Sequence, residues 1–300
     1  MRSPPRLSPS SLPLPLLPIA IPLILCISFC TTSSCSRVDL QRGTTANDGL
    51  TLSGRSLAQD EFKGDDLPFV ASLRDGGEHF CGGVLVAPDL VVTGASCVTT
   101  RGRGHPNVRI GFDEAGGNGA SEEEFETCRT IVHGGFDADR LQDGNDLALL
   151  VLNGSSAART ADLGTAGEGA GGELLLAGFR QALGQREVEF RVERMAYVAN
   201  DECQALWEDH LGIADLMLGN TDNLLCASSI DGLAACRGDT GNPVVTADGQ
   251  TLVGVVSFGP PNCFSVEIPS VSARVSAFLD FIEERGDRQA VVTDNPDCSA

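Results

Sequence analysis

The sequence predicts an all-β fold, a barrel or a sandwich. Short apolar runs of strand length recur from about residue 67 to residue 256, punctuated by Gly, Asp, Asn and Pro. Helical signals are few, so repeating strand–helix units are disfavoured. The chain has 300 residues, enough to bury a substantial core, and single all-β domains of about 200–250 residues are routine. No internal repeat occurs at a solenoid period.

The chain opens with a short basic segment, residues 1–6, followed by a stretch that is almost wholly apolar from Leu12 to Phe29 and then by small residues at 31–34. That outline predicts a signal peptide over 1–33, cleaved near residues 30–35. The rival is an uncleaved anchor of about 18 residues, at the low edge for spanning. The four prolines between Leu12 and Pro22 make a straight anchor helix unattractive. Residues 34–55 are polar and aperiodic, and read as a pro-segment or linker.

Leu67–Leu73 starts the first set of strands and His79–Cys81 continues it. Further runs follow at Val84–Val86, Val91–Thr93, Val108–Gly111, Thr130–His133 and Leu147–Leu152. A Gly-rich connection, Gly164–Gly172, separates this half from a second that opens at Glu173–Phe179. Glu187–Val192 alternates apolar with polar, and Leu252–Val256 is an apolar strand. Asn200 or Asp201 caps a short helix running to His210, with Gly212 at its end. Val275, Phe278, Leu279 and Ile282 stand at i, i+3, i+4 and i+7, the stripe of a terminal amphipathic helix that Gly286 stops. The tail, 285–300, is mostly polar.

The formal net charge is −20, which argues against nucleic acid and anionic membranes as partners of the mature protein, since both reward clustered Lys and Arg. The Glu122–Glu124 run reads as solvated surface. Eleven cysteines without Cys-x-x-Cys or His-rich pairings suggest a disulfide framework in a secreted, extracellular protein, with no metal and no cofactor. Asn153-Gly154-Ser155 is a lone glycosylation sequon.

Three segments carry chemistry. The first is Cys81-Gly82-Gly83, followed by two strand-like runs and Thr93-Gly94-Ala95-Ser96-Cys97. The second is Asn145-Asp146-Leu147-Ala148-Leu149-Leu150. The third is Ala235-Cys236-Arg237-Gly238-Asp239-Thr240-Gly241-Asn242-Pro243. In this order they resemble the three active-site segments of the trypsin/chymotrypsin-like serine proteases (peptidase S1), over residues 56–284. The resemblance implies two six-stranded antiparallel β-barrels with a C-terminal helix. It places Asp146 as the retained triad Asp, Ser96 where the catalytic His belongs, Thr240 where the nucleophilic Ser belongs, and Gly238 in the oxyanion hole. Asn242 replaces a Gly of the family pattern.

The resemblance also implies disulfides Cys81–Cys97, Cys203–Cys226 and Cys236–Cys263, and leaves Cys128 and Cys298 as a guessed fourth pair. The substrate pocket falls on Ala234, Ser257, Gly259 and Ser270. Ala234 stands where an Asp would select Lys or Arg, Gly259 leaves the pocket neck open, and Ser270 replaces a common Gly on the far wall. Cleavage after a basic residue, here Arg55, frees in this family an α-amine that pairs with the residue corresponding to Asp239. The terminus that follows, Ser56-Leu57-Ala58-Gln59, departs from the family's Ile-Val-Gly-Gly, and His79 is the candidate replacement partner for Asp239.

A neutral hydroxyl takes up no further proton near pH 7, so Ser96 cannot act as the base. Thr240 keeps a hydroxyl but adds a methyl and a stiffer χ1. The expected function is therefore a secreted, catalytically inactive homologue that binds or regulates, with a protein or peptide ligand in the cleft between barrels. The alternatives are a weak or conditional serine-type endopeptidase and a structural extracellular domain.

Overall fold

The computed structural model describes residues 62, 64–99, 104–111, 122–164, 172–181, 188–211, 221–232, 235, 238–260 and 267–298. The leader, the pro-segment, Ala234, Cys236 and Cys263 lie outside them, so the Cys236–Cys263 pairing does too. Among the described residues, no helix is long and apolar enough to cross a membrane.

The first half contains β1 (Val70–Asp75), β2 (Glu78–Ala87), β3 (Leu90–Thr93), β4 (Asn107–Ile110), β5 (Glu123–Val132) and β6 (Ala148–Leu152). β5 pairs with both β4 and β6, which closes the antiparallel set β5-β4-β1-β2-β3-β6 into a barrel. The β1–β2 hairpin turns on Gly76 and Gly77, both at positive φ, the backbone that a two-residue turn between right-twisted strands requires. Phe69, Leu73, Leu85, Ile110 and Leu150 are fully buried in its core.

The second half contains β7 (Asp162–Leu163), β8 (Glu173–Gln181), β9 (Val188–Val198), β10 (Leu224–Ser229), β11 (Pro243–Thr246), β12 (Thr251–Phe258) and β13 (Ser270–Arg274). Pairing of β11 with both β8 and β12 closes β11-β8-β9-β10-β13-β12 into the second six-stranded barrel, with the two-residue β7 added parallel to β12. The fold is thus the expected pair of antiparallel barrels.

Among the described residues, three α-helices accompany them: α1 (Ala95–Thr99), α2 (Asn200–Leu211) and α3 (Leu279–Glu283). The terminal stripe is split, because Val275–Phe278 form a 3-10 turn ahead of α3. Its apolar residues still pack inward, with Val275, Phe278 and Ile282 buried.

The mostly polar tail contains a strand that the sequence reading did not assign. Val291–Asp294 form β14, antiparallel to Arg129–Val132 of β5. β4 covers only Glu123–Glu126 of β5, leaving the upper part of that edge with open backbone groups. β14 takes them although its own four residues are exposed. Cys128–Cys298 then pins the tail, and Asn295 donates its backbone N–H to the Cys128 carbonyl (2.7 Å) and its side-chain amide to that of Thr127 (3.0 Å). Cys81–Cys97 and Cys203–Cys226 are also bonded.

Candidate active site between the barrels

Strand β3 ends at Thr93 and the chain turns at Gly94 into α1, which places Ser96 beside Asp146, just ahead of β6. A methyl added to Gly94 would lie 3.2 Å from Thr240 Cγ2, 3.4 Å from Asp146 Oδ1 and 3.5 Å from Ser96 Oγ. The three side chains thus surround one point, drawn from three segments of the chain and both barrels.

Asp146 is 1% exposed. Its carboxylate accepts the Ser96 backbone N–H at Oδ1 (2.7 Å) and, at Oδ2, the hydroxyls of Ser96 (2.9 Å) and Ser257 (2.6 Å). Burial pushes its pKa above the usual carboxylate range, and these donors offset part of that shift. The Ser96 hydroxyl thus supplies a short neutral donor at the Asp146 carboxylate and no proton acceptor of useful basicity.

Thr240 has its hydroxyl committed elsewhere: Oγ1 donates to the Ser257 carbonyl (3.3 Å), while its methyl faces Gly94. The three histidines with described side chains do not reach it. His79 Nδ1 and the Ser72 hydroxyl share a 2.8 Å hydrogen bond, and His79 Nε2 donates to the Gly238 carbonyl at 3.4 Å. Burial lowers its pKa to about 4, so it is neutral at physiological pH. His105 lies near Thr130, and His133 packs edge-on to Phe278 and Phe281 with Asp287 3.3 Å away.

Gly238 and Gly241 both hold positive φ, conformations that glycine alone adopts without strain. The turn is tied to both barrels. Gly82 N–H donates to the Thr240 carbonyl (2.8 Å) and Gly241 N–H to that of Val256 (2.8 Å).

The partner of Asp239 differs from the expected His79. Arg180, from β8, directs Nε (3.0 Å) and Nη2 (2.7 Å) to Asp239 Oδ2, and Nη1 (2.9 Å) to Glu193 Oε1 on β9. A fixed guanidinium charge balances the buried carboxylate, which a neutral imidazole cannot do. All three groups are buried, and burial raises the Glu193 pKa to about 7. Asp239 therefore points inward.

At the expected pocket neck two segments come close together. A methyl on Gly259 would fall 2.6 Å from the Ala235 carbonyl oxygen, so the two segments touch. The Ser270 hydroxyl accepts the Ala235 N–H (2.9 Å) and holds that segment in place. Gly259, whose missing side chain is expected to leave the neck open, thus lies against the Ala235 backbone. Ser257 and Ser270 are both buried.

Asn242 introduces a constraint that the motif alone does not suggest. Its amide lies between two strands at positions kept free of side chains. A methyl on Gly178 would meet Asn242 Cγ at 2.0 Å, and one on Gly82 would meet Oδ1 at 1.8 Å. Gly178→Ala should therefore destabilise the protein by about 1–3 kcal/mol through overpacking. Adding Asn242→Gly should bring the double variant within about 1 kcal/mol of Asn242→Gly alone, a coupling between contacting residues that thermal denaturation would measure.

A fold of two six-stranded barrels with an active-site constellation between them defines the class. The trypsin family model matches residues 57–282. A trypsin from the beetle Phaedon cochleariae is 31% identical over 73% of this chain and 83% of its own length. Hypodermin-B from Hypoderma lineatum is 28% identical over 78% of this chain and 88% of its length. Among solved structures, neuropsin, a serine protease of mouse brain, superposes with a TM-score of 0.62 at 22% identity, covering 74% of this chain and 96% of its own. The chain belongs to the trypsin family.

Proposed function

We propose that this is a secreted trypsin-family protein that does not cleave peptides and acts by binding or regulation. The observation that carries this reading is the hydroxyl of Ser96 on Asp146, where catalysis needs an imidazole. Attack by Thr240 Oγ1 requires a group that accepts its proton and returns it to the leaving amine. Ser96 supplies no such group, and the Thr240 hydroxyl is held by the Ser257 carbonyl. Asp146 keeps a structural role, joining α1 to β12 across the two barrels through Ser96 and Ser257. The leader-like N terminus and the disulfides support secretion.

The partner in this reading is a protein or peptide lying across the interbarrel cleft. Contact between Gly259 and Ala235 favours recognition of its main chain and outer surface over insertion of a side chain into a deep pocket. The same contact supports a second reading, a structural extracellular domain without a ligand in the cleft. Incubation of the secreted protein, before and after cleavage at Arg55, with a diverse peptide library read by mass spectrometry tests the absence of turnover. No cleavage above buffer is expected in either form, and reproducible cleavage abolished by Thr240→Ala would overturn the proposal.

A further inference from the structure

The loop bearing Thr240 is anchored from inside the second barrel. Arg180 and Asp239 lie 59 positions apart in sequence, yet their side chains meet in a buried ion cluster with Glu193. Both hydrogen bonds from Arg180 to Asp239 fall on Oδ2, while Oδ1 accepts the Asn242 side-chain amide at 3.2 Å. Each oxygen of the Asp239 carboxylate thus has a donor, and its charge faces a guanidinium built into β8. A further cation arriving at Asp239 would have to displace a buried Arg that already makes two charge-assisted hydrogen bonds to it.

We infer that Arg180 is the positioning residue for the Gly238–Asn242 turn, so that the turn's conformation is set by the barrel itself and does not wait for a chain terminus to be freed at Arg55. Cleavage in the 34–55 segment then leaves the cleft unchanged, and any regulation by processing acts through something other than this turn. The inference does not depend on whether Thr240 reacts.

Two amides report on the turn: Gly241 N–H, bonded to the Val256 carbonyl, and Asn242 N–H, bonded to that of Asp239. Their hydrogen exchange should be measured in the full secreted chain before and after cleavage at Arg55, verified by N-terminal sequencing. Equal protection in the two forms, within about twofold, is expected. Arg180→Met should speed exchange at both amides by roughly tenfold or more in either form. Val91→Ala, a core truncation in the first barrel, should not single out these two amides.

If Arg180→Met fails to fold, Asp239→Asn carries the test. It keeps the volume and leaves the Arg180–Glu193 pair intact. It should loosen the turn by roughly tenfold while the β8–β9 amides stay protected. A roughly tenfold gain in protection on cleavage of the unmutated chain, or recovery of Arg180→Met by cleavage, would overturn the inference. Unchanged turn protection in Asp239→Asn would do the same.

Discussion

Arg180→Met should lower the unfolding free energy by about 3–5 kcal/mol, the cost of leaving buried carboxylates without their cation. Arg180 is 8% exposed, Glu193 1% and Asp239 2%, so solvent does little to screen the loss. The pH dependence has a definite sign. Burial already raises Glu193 from 4.5 to about 7, and Arg180 is the main influence holding it down. Without Arg180 its folded-state pKa rises further above the unfolded value. A raised carboxyl contributes stability that is complete below the unfolded pKa and is lost as pH rises through the folded one. The deficit of Arg180→Met should therefore be smaller at pH 5 than at pH 8 in urea titrations. Neutralising the whole cluster, as Arg180→Met/Glu193→Gln/Asp239→Asn, should recover much of the loss, because replacing a buried ion cluster costs far less than breaking one.

The second large effect concerns the tail. Cys128 and Cys298 are separated by 170 positions, against 16 and 23 for the other two described disulfides. Chain-entropy arguments give about 5 kcal/mol for so long a loop and about 3 kcal/mol for the short ones. Cys128→Ser/Cys298→Ser should thus lower the unfolding free energy by about 3–5 kcal/mol, more than Cys203→Ser/Cys226→Ser. Strand β14 should fray first, since Val291 and Val292 are 61% and 52% exposed and contribute little burial. Amides of Arg129–Val132 on β5 whose bonds run to β14 should lose exchange protection ahead of the barrel, which separates local release from global unfolding.

Much of the architecture is legible in the sequence because short apolar runs between turn residues specify strands locally. Asp146 is equally legible, lying in a six-residue motif that runs into a strand. The features that escape a sequence reading depend on neighbours brought in from afar. The strand Glu173–Gln181 ends in a lone Arg, and nothing within its own span says that this charge turns inward. The usable signal is face parity: Leu174, Leu176, Gly178 and Arg180 share one side of β8, and the first two are buried. A charge continuing such a stripe calls for a buried counter-charge.

Strand β14 is invisible for a different reason. Val291-Val292-Thr293 has the β-branched residues of a strand but is short and exposed, without an apolar alternation to mark it, and it is a strand because β4 is short and leaves an edge of β5 to be paired. Gly259 shows that an absent side chain is not by itself open space, since the Ala235 backbone lies against it. Missing bulk admits a ligand only if the facing backbone stays back, and here the Ser270 hydroxyl holds Ala235 across the gap.

The central claim is that Thr240 is not an activated nucleophile. It is tested most directly by exposing the secreted protein, cleaved at Arg55, to an excess of a fluorophosphonate probe and reading intact mass. A hydroxyl is phosphonylated by such a probe when a base withdraws its proton during attack on phosphorus. With Ser96 on Asp146 and the Thr240 hydroxyl on the Ser257 carbonyl, the account predicts an unmodified mass after prolonged incubation. A stoichiometric adduct mapped to Thr240 in the unmutated protein would contradict it.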